Sequence, residues 1–135
     1  MKIEANNLAD ESLIRQLLDD WAKATREGDK DTVLSSHVPN LLIFDVLAPL
    51  QYKGAEAYRK SLDEWWPTDE GEALFEMHEL NITAGDTVAY AHCLIECGKK
   101  SNSDWIRATF CLQKCDGEWI ITHQHVSMPV SRKSA

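Results

Sequence analysis

At about residue 73 the chain changes its hydrophobic period, and that change limits the folds open to it more than any other feature. Before it, Leu13, Ile14, Leu17, Leu18 and Trp21 recur at helical spacing with charged residues between them. Residues near 10–27 therefore read as an amphipathic helix, with Asp10 placed to cap it. Gly28 ends that helix, Asp29 caps a second short one running to Ser36, and Pro39 is expected to stop it. Leu41-Leu42-Ile43-Phe44 reads as a short strand. A third helix from near Gly54 passes Tyr58 and Leu62 to Trp65-Trp66, where Pro67 bars continuation.

Beyond the change, strand-like runs occupy 73–83, 87–97, 104–115 and 118–127. They are divided by Ala84-Gly85-Asp86, by a polar stretch from Gly98 to Ser103, and by Asp116-Gly117. The pattern is that of a four-strand antiparallel meander, and Asp-Gly between two apolar runs is its most specific hairpin signal. Helices first and strands afterwards give segregated α+β packing, with the helices covering one face of the sheet. At 135 residues one core suffices, so a single domain is expected over 1–135, its core at about 9–128 and its ends loosely held.

Charge and cysteine usage narrow the classes of partner. With 22 acidic against 14 basic residues the net charge is -8, which repels phosphate backbones, so no nucleic acid partner is expected. No apolar run is long enough to span a bilayer, and Met1 to Asn7 lack the apolar middle of a signal peptide. The expectation is no membrane association and a cytoplasmic location. Cys93, Cys97, Cys111 and Cys115 form two pairs spaced four apart, and on a strand that spacing separates the thiols by roughly 13 Å. Neither pair alone can hold one ion, although neighbouring strands can bring Cys93 near Cys111. Reduced core cysteines are the plainer reading.

Arg26-Glu27-Gly28-Asp29-Lys30-Asp31, Asp116-Gly117-Glu118-Trp119 and the run from His123 to Pro129, in this order of elements, resemble the nuclear transport factor 2-like superfamily. Within it, Arg107-Ala108-Thr109 and His123-Gln124-His125-Val126-Ser127 look closest to SnoaL-like proteins and to the association domain of calmodulin-dependent kinase. The helical half is also similar to ketosteroid isomerase. The resemblance implies a cone-like, curved antiparallel sheet, a cystatin-like roll, with about three N-terminal helices on its concave face. It also implies a homodimer.

That resemblance puts Asp45 in the position of the aspartate that shuttles a proton, and Trp21 where the isomerase carries an oxyanion-binding tyrosine. Ala108 falls where a second oxyanion donor would lie. A carboxylate following Leu42-Ile43-Phe44 is expected to be partly desolvated, which makes it a better base; the competing reading is that Asp45 caps the turn toward Pro49. Trp21 reads either as pocket wall or as core continuing the Leu13-Leu17 face. Trp65 and Trp66 supply aromatic surface that can close the cone.

The register of the last hairpin decides the remaining site residues. A two-residue Asp-Gly turn sets His125 opposite Ala108, and a three-residue loop sets Gln124 there, so either Gln124 or His125 faces the pocket. Trp105, Arg107 and His123 belong to the pocket or to a subunit interface, with the outer face around Trp105, Arg107 and Thr109 as the proposed interface. His123 and His125 can enter a metal site only with further ligands, and His37, His78 and His92 are scattered over other elements, so no metal and no cofactor are expected.

Two functions lead, ahead of a protein-binding adaptor of the transport-factor kind. One is a small-molecule-binding domain, with Asp45 as general base for isomerisation, cyclisation or hydration of an apolar or carbonyl-bearing ligand. The other is a non-catalytic oligomerisation or ligand-sensing module of the same fold.

Overall fold

A computed structural model describes residues 1–4, 6–65 and 73–131. Helix α1 spans Leu8–Glu27 and buries Ile14, Leu18, Trp21, Ala22 and Ala24. Its cap is Asn7, whose side chain accepts from the Asp10 backbone N–H. Asp10 is therefore not the cap. It lies in the first turn, buried, where its carboxylate accepts from Trp119 Nε1 at 2.9 Å and sits 3.1 Å from Lys114 Nζ. Those two partners hold its pKa below the usual carboxylate value.

Gly28 closes α1 at φ 75, a left-handed conformation that glycine adopts without strain, and Asp29 caps α2, Lys30–Ser35. Strand β1, His37–Phe44, starts four residues earlier than the apolar run suggested. Pro39 lies inside it and does not end the helix, because Ser36 already closes α2. The short strand β2, Tyr52–Lys53, pairs back on β1, and α3 follows over Ala55–Trp65. Trp66 and Pro67 lie outside the described residues.

The meander is β3, Ala73–Ala84, β4, Val88–Lys99, β5, Asn102–Cys115, and β6, Glu118–Ser127. The six strands form one open, curved sheet in the order β2-β1-β6-β5-β4-β3. All neighbouring pairs are antiparallel except β1 with β6, which run parallel. No described helix is long and apolar enough to cross a membrane.

Bulges in β3 and β6 bend the sheet and reverse which residues face the helices. In β3 the pairing slips between His78 and Asn81, where Glu79 has φ 55, so Phe75 and then Ile82 and Ala84 are buried. In β6 the two-residue turn at Asp116 and Gly117, both at positive φ, sets Cys115 opposite Glu118 and Leu112 opposite Ile121. Thr122 is then an extra residue, and the next pairs are Cys111 with His123 and Phe110 with Gln124. Ala108 therefore faces Val126, not Gln124 or His125. Trp119 and Ile121 point inward before the bulge and Gln124 after it.

The cysteines divide by the same alternation. Cys93 and Cys97 are buried on the inner side of β4, and burial pushes their thiols up to about 12 and about 11. Cys111 and Cys115 are exposed, so they are not core residues, and Cys93 faces Ala108 and not Cys111.

Deleting Thr122 alone should remove the bulge and keep the pairs on either side of it, whereas deleting Thr122 and His123 together should turn His125 inward and Gln124 outward. A buried imidazole left without partners costs roughly 1–3 kcal/mol, so the double deletion should lower the urea midpoint well below that of the single deletion. Equal midpoints for the two would show that the residue count at the bulge does not set the facing of β6.

Candidate functional site

A cavity of about 80 Å³ opens between α1, α3 and the inner sheet face. Trp21, Leu62, Phe75, Ile95, Ile106 and Val126 supply its apolar wall, and Thr25, Asp45, Tyr58, Ser61 and Gln124 bring polar groups to it. The wall is held by edge-on ring contacts, with Trp21 5.2 Å from Phe75 and 5.0 Å from Phe110 between ring centroids. The space suits roughly one ring or a short chain, well below the 300–1,000 Å³ usual for drug-sized ligands.

Beneath the cavity runs a chain of buried hydrogen bonds that links three helices to the sheet. Trp21 Nε1 donates to the Tyr58 hydroxyl at 3.0 Å, and Gln124 Nε2 lies 3.5 Å from the same oxygen. Gln124 Nε2 also meets His37 Nε2, and His37 Nδ1 is 2.8 Å from the Val33 carbonyl. A carbonyl only accepts, so His37 carries its proton on Nδ1 and offers Nε2 as an acceptor, which requires the amide nitrogen of Gln124 to face it. Burial pushes the His37 imidazole down to about 4, against the opposing pull of the Val33 carbonyl. Burial pushes the Tyr58 hydroxyl up to about 12, although hydrogen bonds from Trp21 and Gln124 work the other way.

Of the expected site residues, Asp45, Trp21 and Gln124 come together at this cavity. Trp21 is both core and cavity wall, and its indole N–H is already given to Tyr58. Asp45 follows β1 directly and is exposed, so the expected desolvation is not met. Its carboxylate accepts from the Val46 backbone N–H at 2.7 Å, as the turn-capping reading has it, while also lining the cavity. Ala108 is buried on the inner face but does not line the cavity. The side chain of Trp65 lies outside the described residues.

His125 is corrected outright. The bulge turns it to the outer face, where it is exposed and packs edge-on to Phe44 at 5.3 Å. His123 stands on the same face, 4.8 Å from the Phe44 ring and 2.7 Å from the Leu42 carbonyl through Nδ1. Trp105 and Arg107 also face outward and are exposed, with Arg107 Nε donating to Ser127 Oγ at 3.1 Å. None of these four lines the cavity.

Tyr58 and His37 were missed as site residues. Tyr58 read only as one residue of the third helix and His37 as one of several scattered histidines. The available signal was a hydroxyl at an apolar position of α3, since a buried tyrosine usually finds a polar partner.

Pairing across strands also assembles Glu76, His78 and Glu96 on the outer face, with ligand atoms all within 4.8 Å of one another. His78 Nε2 is 3.9 Å from Glu76 and 3.8 Å from Glu96, and its ring packs on Trp105 at 4.8 Å. His78 is thus not isolated; spacing along one strand cannot reveal a group built from two.

A family model described as the SnoaL-like domain matches residues 14–131. The fold is shared with an NTF2-like protein of unknown function from Pseudomonas putida KT2440, at 30% identity and a TM-score of 0.89, covering 96% of this chain and 94% of that one. A candidate dehydratase of the NTF2-like family from Streptomyces avermitilis aligns at 15% identity and TM-score 0.75, over 91% of this chain and 98% of that one. A candidate aromatic ring hydroxylase from Novosphingobium aromaticivorans aligns at 15% identity and TM-score 0.77, over 94% and 95%. Among curated proteins, none matches the chain.

The buried His37 predicts a definite pH response. Its folded pKa lies below the ordinary histidine value of 6.5, at about 4, so between those values the unfolded chain binds the extra proton. Stability from this residue is complete above about 6.5 and falls as pH drops toward 4, by on the order of 3 kcal/mol. Urea titrations from pH 7 to 4 should show that decline, and His37→Gln should flatten it. A wild-type midpoint unchanged across this range would contradict a neutral buried imidazole.

Proposed function

The chain belongs to the SnoaL-like family of the nuclear transport factor 2-like superfamily, and from that premise we propose that it binds a small carbonyl-bearing molecule and uses Asp45 as a general base upon it. The observation that carries this reading is the Asp45 carboxylate at the rim of a cavity whose wall is otherwise mostly apolar. Such a wall holds the carbon skeleton of a ligand, and a carboxylate at its edge can take a proton from the carbon beside a carbonyl. Isomerisation, cyclisation and hydration or dehydration share that step. The likeness to a candidate dehydratase agrees with this class of chemistry. A whole steroid nucleus does not suit a cavity of about 80 Å³, so the proposed ligand is one ring or a short chain.

A second reading, an assembly module, is favoured by the outer sheet face. Tyr90 and Trp105 are about half exposed there, and Val88 more so, an apolar surface on neighbouring strands β4 and β5. We propose that this face joins two copies of the chain. The two readings are compatible, because the cavity and this surface lie on opposite sides of the sheet.

Exchange of the α-hydrogens of cyclohex-2-enone into deuterated water, followed by proton NMR, tests the first reading. Wild-type protein should accelerate exchange, and Asp45→Asn should lower that acceleration by roughly 10²–10⁴-fold. Equal rates for the two proteins would remove Asp45 as the base. For the second reading, Trp105→Glu should move the protein from a dimer to a monomer in light-scattering chromatography. An unaltered mass would exclude that face as the interface.

A further inference from the structure

The Tyr58 hydroxyl has room for one more hydrogen bond, and the groups around it dictate its direction. An indole N–H can only donate, so Tyr58 accepts from Trp21. Gln124 meets both Tyr58 and His37 through the same amide nitrogen, which has two hydrogens to give. The tautomer of His37 fixes that orientation, because the Val33 carbonyl takes the Nδ1 proton and leaves Nε2 needing a donor. With the amide turned the other way, oxygen would face the lone pair of Nε2, an arrangement that repels. Tyr58 Oη thus accepts twice and still holds its own proton. Among the described residues no acceptor takes that proton, and Tyr58 lines the cavity.

We propose that His37 and Gln124 are positioning residues that set the ligand class of this cavity: they force the Tyr58 proton into it, so the site selects an uncharged oxygen acceptor, a carbonyl, as its occupant. The proposal rests on the reading of this cavity as a small-molecule site and adds to it which end of the ligand goes where. The carbonyl oxygen meets Tyr58, and the carbon beside it is left for Asp45 at the rim. The Asp45 carboxylate on the same cavity disfavours an anionic acceptor, since a second negative charge would be repelled at short range. A ligand presenting only N–H donors would meet the Tyr58 proton head-on. The high pKa of Tyr58 keeps that proton in place at neutral pH, and the low pKa of His37 keeps the imidazole neutral.

Substitution of Gln124 separates this role from simple packing. Gln124→Leu fills similar space but leaves His37 Nε2 as an unclaimed acceptor, which can draw the Tyr58 proton away from the cavity. The double variant Gln124→Leu with His37→Phe removes that competing acceptor and should return the proton. A residue that only supports the fold would not be rescued by a second substitution in the core.

The experiment is infrared spectroscopy of cyclohex-2-enone bound to each protein, with binding followed by titration. In wild type the carbonyl stretch should move to lower frequency relative to the enone in hexane. Tyr58→Phe and Gln124→Leu should abolish that shift and weaken binding about tenfold, the equivalent of one lost hydrogen bond, and the double variant should restore both. Enone bound by wild type with an unshifted carbonyl would overturn the proposal while leaving the cavity as a binding site. No binding at all would overturn the underlying reading and the proposal with it. A measurement free of ligand and of variants stands beside these. Nitrogen-15 NMR of wild-type His37 at pH 7 should show Nδ1 protonated and Nε2 bare, and a proton on Nε2 would overturn the proposal directly.

Discussion

One inserted residue in β6 governs the interior of this protein. Strict alternation after Trp119 and Ile121 would carry His123 and His125 into the core. Thr122 breaks that alternation, and Gln124 takes the inward position opposite Phe110. The exchange matters chemically because an amide nitrogen can give two hydrogens, whereas a neutral imidazole can give one. Only the former can serve His37 and Tyr58 together. The strand bend that accompanies a bulge also helps curve the sheet over α1 and α3, so the shape of the cavity and the identity of its polar floor share one cause.

The buried polar path is unusual in joining elements that are far apart in the chain. Trp21 comes from α1, His37 from the start of β1, Tyr58 from α3 and Gln124 from β6. Each member bonds another, and such a chain of buried polar contacts favours one arrangement of the helices over others. Asp10 plays a comparable part at the other end of α1, where Trp119 and Lys114 tie the first helical turn to the last hairpin. The helix is thereby pinned near both ends by groups whose loss would leave a buried polar atom behind.

Much of the architecture was legible because it depends on local pattern. The helical spacing from Leu13 to Trp21, the turn residues Gly28-Asp29 and Asp116-Gly117, and the switch of period near residue 73 each act within a few residues. What depended on pairing was not. The parallel contact of β1 with β6, the bulges at Glu79 and Thr122, and the gathering of Glu76, His78 and Glu96 arise between segments, and no single segment carries their signature. Asp45 and Trp21 were found through resemblance. His37 and Tyr58 escaped because each looks ordinary until the strand that supplies Gln124 is placed beside it.

The exposure of Asp45 bears on how such a site would work. A carboxylate in contact with water is held by its hydration, and it becomes a stronger base as that water is removed. In a cavity this small and this open, the occupant itself is the largest apolar body able to displace water from the rim. A ligand anchored at its carbonyl by Tyr58 would lie across the opening and exclude solvent on the side where Asp45 stands. Desolvation of the rim would then accompany binding and vanish on release. The apolar wall and the Tyr58 hydroxyl are held by contacts already made in the empty cavity, so under the proposed function little reorganisation would be left for a reacting step.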